Sequence, residues 1–117
     1  MGAKDQLHIA VRHEADRVIV SLEGELDMAN APRLQSTVEG EELVAESTVV
    51  FDLEQLGFVD STGLRIILLA RERCRDRGQE FAVTRGSPQV QRLLSVTGVA
   101  EHLRTIATPD ELLVQPG

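Results

Sequence analysis

The chain has 117 residues, 42% of them hydrophobic and 26% charged, a size and balance that suit one packed domain rather than a disordered segment. Nineteen acidic residues outweigh twelve basic ones for a net charge of −7, and the only aromatics are Phe51, Phe58 and Phe81. Binding of nucleic acid through a basic surface or through base-stacking aromatics is therefore disfavoured.

Leu7–Val11 alternates in polarity as a half-buried strand does, and Glu14-Ala15-Asp16 reads as a turn. Val18–Leu22 follows as a second strand, in a hairpin with the first, and Gly24-Glu25-Leu26-Asp27 leaves it. Asn30 is placed to cap a first helix, with Pro32 in its first turn, where a missing N–H costs little. Leu34 and Val38 share a face of that helix, while Gly40 and the acids around it weaken its middle. Thr48–Leu53 is nearly continuous and β-branched, as a central strand covered on both faces should be.

Ser61 to Arg77 reads as a second helix with Leu64, Ile67, Leu68 and Cys74 on its apolar side. Arg71, Arg73, Arg75 and Arg77 crowd its C-terminal half, where cations suit the dipole, and Gly78 can close it in a left-handed conformation. The arginines are either a solvated face or part of a docking surface. Glu80–Thr84 is a further strand, and Ser87-Pro88 opens a third helix that runs to Gly98. Leu103–Ala107 is a short edge strand, and Thr108-Pro109-Asp110-Glu111 has the form of a capping box for a last helix. The order β-β-α-β-α-β-α-β-α implies an α/β fold with a mixed, largely parallel sheet of four to five strands and helices packed on it.

Enzyme signatures are missing: no G-x-S-x-G elbow, no phosphate loop, no G-x-G-x-x-G and no H-E-x-x-H. His8, His13 and His102 are scattered, so no metal and no cofactor are expected. Cys74 cannot form an internal disulfide and is expected to pack as a core residue. The longest apolar run, Ile66–Ala70, is far below the roughly 20 residues that span a bilayer. A cytoplasmic protein without direct membrane insertion is the expectation.

The segment from Asp52 to Leu64 runs from the end of the central strand, through a loop, into the second helix, the place where open α/β sheets bind ligands and partners. Ser61 and Thr62 place two hydroxyls at that helix start. Either Asp60 or Ser61 simply caps free N–H groups, with Gly63 permitting close packing, or Ser61 accepts a phosphate. A phosphate there would meet the positive end of the helix dipole and add about −1.5 to −2 charges. Residues 1–60 carry a net −9 and residues 61–117 a net +2, so the added charge would face an acidic half and act mainly by repelling a partner.

Gly24-Glu25-Leu26-Asp27, Val49–Leu53, Phe58-Val59-Asp60-Ser61-Thr62-Gly63-Leu64 and Ser87–Leu94 with Thr97-Gly98-Val99 together resemble the STAS domains (sulfate transporter and anti-sigma factor antagonist). The likeness is greatest to the single-domain bacterial anti-sigma factor antagonists. It covers the chain from about residue 7 to 113 within one domain of residues 1–117, and its specificity lies in G-E-L-D followed by D-S-T-G-L, with Asp27 and Asp60 separated by 33 positions. The resemblance implies a small sheet with helices mainly on one side. It also implies binding to an anti-sigma factor that is itself a serine kinase, release of a sigma factor, and reversal by a phosphatase. Ser61 then corresponds to the phosphate acceptor, with Thr62 as an alternate. Glu25, Asp27, Asp60, Gly63 and Leu64 fall in the partner-binding motifs, and a monomer or weak dimer is expected. Arg65 departs from the small or apolar residue common at its position. A scaffold subunit of a bacterial lipid-transport complex, never phosphorylated, is the alternative implied by the same family.

Overall fold

The computed structural model describes residues 6–111. Strands β1 (Leu7–Glu14) and β2 (Arg17–Leu26) form an antiparallel hairpin in which Glu14 faces Arg17. Only Ala15 and Asp16 join them, and Ala15 takes the positive φ of 55° that so short a connection favours. Helix α1 (Ala31–Glu39), strand β3 (Thr48–Val59), helix α2 (Ser61–Arg77), strand β4 (Glu80–Thr84), helix α3 (Pro88–Val96) and strand β5 (Thr105–Ile106) follow. The five strands lie side by side in chain order; β1 is antiparallel to β2 and every other pairing is parallel.

Strand alternation divides the apolar side chains between two faces. Val18, Val20 and Leu22 of β2, Val49, Phe51 and Leu53 of β3, and Phe81 and Val83 of β4 point to one face. There they meet Leu34 and Val38 of α1, Ile67 and Ala70 of α2, and Val90 and Leu94 of α3. All three helices therefore cover the same side. Phe51 and Phe81 meet edge to face, with ring centroids 5.2 Å apart. The intervening residues Ile19, Val50, Ala82 and Ile106 form a second buried row on the opposite face. Arg17 lies on that face too, and its guanidinium donates to the carbonyls of Pro109 (2.7 Å) and Glu111 (2.9 Å). The chain after β5 thus crosses back beneath the sheet towards the start of β2.

Several boundaries differ from expectation. Strand β2 does not end before Gly24; it continues to Leu26 through two register shifts, with Gly24 at φ 104° and a Cβ there only 1.9 Å from the Gln6 carbonyl oxygen. Strand β3 runs on from Leu53 to Val59, paired with β2 after β4 has ended. Gly40 does not lie inside the first helix but stops it, and a tight helical turn, Glu41–Ala45, connects to β3. Asn30 stands at the helix start without capping it: its Oδ1 accepts from Asp27 N and its Nδ2 donates to Glu25 O. Strand β5 is only two residues long. Glu111 Oε1 accepts from Ala107 N rather than closing a box on Thr108, residues 109–111 form a turn where the first turn of the expected last helix would be, and the rest of that helix lies outside the described residues. Helix α2, its left-handed cap at Gly78 (φ 74°), strand β4 and the Ser87 cap on Val90 N match expectation.

Candidate functional site

The C-terminal ends of β2 and β3 and the start of α2 meet at one end of the sheet. Leu26 pairs with Val59, and Asp60 N extends that ladder by donating to Leu26 O at 3.0 Å. Asp60 is in extended conformation and caps α2: its Oδ1 accepts from Gly63 N at 2.9 Å. Its second oxygen accepts from Met28 N at 3.0 Å, which ties the helix start to the turn leaving β2. Asp27 organises that turn. Its Oδ1 accepts from Ala29 N and Asn30 N, and its carbonyl accepts from Ala31 N at 2.7 Å. The Asp27 side chain therefore holds the turn ahead of α1, and only its carbonyl takes a helical N–H, so α1 begins without the side-chain cap that the sequence assigns to Asn30.

These bonds decide between the two capping candidates. Asp60, not Ser61, provides the side-chain cap, taking the Gly63 N–H. Ser61 is the first helical residue; it is exposed, and its hydroxyl has no hydrogen-bond partner among the described residues. The Ser61 and Thr62 N–H groups have no intrahelical acceptor, as at any helix start. Thr62 is half-buried. Gly63 is required sterically, since a Cβ would come within 2.5 Å of Leu26 Cγ and 2.9 Å of Val59 Cγ2. Leu64 faces the core. Gly63 and Leu64 hold the helix start in place, and the surface itself is presented by Glu25, Asp27, Asp60, Ser61 and Thr62.

Two apolar side chains enlarge that surface. Met28 is 73% exposed and Phe58 49% exposed. Phe58 pairs with Glu25 across β2 and β3. The scarcity of aromatics suggests an interface without an aromatic anchor, but one of the three phenylalanines stands at its edge. Strand parity carries the signal for it: with Val59 turned inward, Phe58 must turn outward. Met28 has no such signal, because the turn that exposes it depends on Asp60.

A family model for the STAS domain matches residues 8–112. The chain belongs to the STAS domain family. It is similar to the anti-sigma F factor antagonist of Paenibacillus polymyxa, 35% identical over 80% of each chain. It is also similar to the anti-sigma-F factor antagonist RsfB of Mycobacterium tuberculosis, 27% identical over 97% of this chain and 92% of that one. Among solved structures, an anti-sigma factor antagonist from Mycobacterium paratuberculosis superposes with a TM-score of 0.82 at 26% identity, covering 94% of this chain and 93% of that one.

The remaining chemistry of this STAS domain is sparse. Among the described residues no group of three or more His, Cys, Asp or Glu side chains could hold a metal ion, and no helix is long and apolar enough to cross a membrane. His8, His13 and His102 are exposed; His13 sits 3.1 Å from Glu46 and 3.5 Å from Glu42. Cys74 is buried, and loss of hydration pushes its thiol up to about 11, so it stays a neutral, poorly nucleophilic group at neutral pH.

Proposed function

We propose that this STAS domain is an anti-sigma factor antagonist of the cytoplasm, a binding protein rather than an enzyme, whose partner is an anti-sigma factor with serine kinase activity. Binding through the Ser61 end releases a sigma factor. Phosphorylation of Ser61 ends the binding, and a phosphatase restores it. Thr62 is the alternate acceptor. The domain acts as a monomer or weak dimer, without metal or cofactor.

The observation that carries the switch is the Ser61 hydroxyl. It is exposed and unbonded on a helix start whose capping duty is already met by Asp60. A kinase can reach it without breaking a structural bond, and a phosphate added there leaves the cap intact. Glu25, Asp27 and Asp60 concentrate negative charge beside it, and the exposed Met28 and Phe58 give a partner apolar area to cover. A phosphate adds about −1.5 to −2 charges to that interface. A tenfold loss of affinity needs about 1.4 kcal/mol, within reach of one misplaced charge at a contact.

Incubation of the chain with its kinase partner and ATP tests this. One phosphate is expected on the wild type, mapped to Ser61 by mass spectrometry of peptides, and none on Ser61→Ala. Unchanged mass in the presence of a kinase active on another substrate overturns the switch and leaves an unphosphorylated scaffold role.

A further inference from the structure

The outward face of α2 beside the proposed switch consists of two residues. From Ser61 to Arg71, about three turns of helix, only Ser61 and Arg65 are exposed; every other side chain is buried or half-buried. Leu64 and Ile66, on either side of Arg65, are both buried, which turns Arg65 outward. Four residues advance a helix by about 6 Å, so Arg65 stands one turn beyond Ser61 on the same face, with the two Cβ atoms about 5–6 Å apart. Helical Cα–Cβ bonds tilt towards the N-terminus, which leans a side chain at position 65 back towards position 61.

Arg65 has no partner in the unmodified chain. Among the described residues it enters no ion pair and no side-chain hydrogen bond. It is the only charged residue from Ser61 to Ala70. Its helical neighbours three and four positions away are Ser61, Thr62, Leu68 and Leu69, none of them acidic. Asp60, the nearest acid in the chain, has both carboxylate oxygens on backbone N–H groups. The polar groups that the helix places within reach of Arg65 are therefore the two hydroxyls, and a phosphate on Ser61 gives the guanidinium an anion at the spacing of a helical ion pair.

We propose that Arg65 receives the phosphate carried by Ser61 and is the second residue of the switch; the inference rests on the reading of Ser61 as the phosphate acceptor. Transfer of the γ-phosphoryl group of ATP to Ser61 Oγ releases ADP and the hydroxyl proton. The new anion lies one turn ahead of Arg65, and an anion on the N-terminal side of a cation is the favourable order at this spacing. The planar guanidinium matches two phosphate oxygens in paired geometry. The pair has two consequences. It favours the doubly charged phosphate, whose second ionisation ordinarily falls near about pH 6, against the opposing charges of Glu25, Asp27 and Asp60. It also takes up the one cation of the first two turns of α2, so phosphorylation adds negative charge to the surface and withdraws Arg65 from a partner at the same time.

The test uses the full chain with phosphoserine encoded at position 61 during translation, so that no kinase is needed, in wild type and in Arg65→Gln. Arg65 is exposed, and the variant should keep the fold. The helix N–H groups and the three acids are common to both chains, so the comparison isolates the guanidinium. Phosphorus-31 magnetic resonance from pH 4 to 8 should show the phosphate of the wild type titrating at least about 0.3 pH unit lower than that of Arg65→Gln, a twofold change in proton affinity and the size of a helical ion pair. The Arg65 Nε–H signal should move when phosphoserine replaces Ser61. With the kinase partner, phosphorylation should cost the wild type at least twofold more affinity than it costs Arg65→Gln. Equal titration of the two phosphates, or an unmoved Arg65 signal, overturns the proposal and leaves Arg65 a solvated residue. Equal loss of affinity in both chains overturns its part in the switch. Failure of the pair shows in the titration of the encoded phosphate, whereas failure of Ser61 as a kinase substrate shows in the peptide masses of the kinase incubation.

Discussion

Both oxygens of the Asp60 carboxylate accept backbone protons, one from Gly63 and one from Met28. Asp60→Ala leaves both donors without their acceptor, and a lost cap costs about 0.5–2 kcal/mol. The urea midpoint should fall accordingly, and an unchanged midpoint would show that water replaces both bonds. A second residue-scale prediction concerns Cys74. Its folded pKa is raised to about 11 from the ordinary 9.0 by burial. The raised value means that the folded state favours the neutral thiol, so its contribution to stability is whole below pH 9.0 and fades as pH rises towards 11. The chain has no Tyr and a single lysine, Lys4, so few other groups titrate in that window. Unfolding free energy measured from pH 8 to about 11 should decline at the upper end. Cys74→Ala should flatten that decline, and an equal decline in the variant would contradict the assignment.

At the scale of elements, β3 changes partners along its length, and Thr84 marks the change. Phe51 is the last β3 residue paired with β4, opposite Val83. Two residues on, Leu53 N donates to Thr84 Oγ1 at 2.7 Å, and the same hydroxyl donates to Asp52 Oδ1 at 3.1 Å. Thr84 is fully buried. Thr84→Val keeps the shape and removes the acceptor, leaving a buried N–H unpaired at a cost of about 1–3 kcal/mol. A denaturant midpoint equal to wild type would show that the hydroxyl is not needed there. This strand end also explains what could be read beforehand. Helix α2 and strand β4 were legible to the residue because their apolar spacing, arginine-rich end and Gly78 all agree. The extensions of β2 and β3 were not. Gly24, Glu54, Gln55 and Gly57 have the composition of a loop, and only the pairing of one strand with the other keeps them extended. Gly40 misled in a similar way, since a helix of nine residues ending on it shows the same pattern as a longer helix interrupted by it.

Across the whole molecule, α2 joins two ends of opposite character. Its 17 residues span about 25 Å, with Glu25, Asp27 and Asp60 at its start and Arg71, Arg75 and Arg104 at its far half. The uneven charge along the chain foreshadowed this polarity, and the D-S-T-G-L motif located the acidic end. Which groups this end turns outward was less visible. Asp27 and Asp60 are spaced as a motif pair, yet three of their four carboxylate oxygens accept from the backbone of the turn and helix start. The outward surface instead gains Met28 and Phe58, which only the folded turn and strand parity bring beside Ser61. Apolar contact supplies affinity to such a surface, while the clustered carboxylates make it sensitive to one more negative group. The most direct test is calorimetric titration of one anti-sigma factor kinase with the unmodified chain and with the chain fully phosphorylated at Ser61. Binding of the phosphorylated form at least tenfold weaker, about 1.4 kcal/mol, is predicted. Equal affinity of the two forms would contradict Ser61 as the switch.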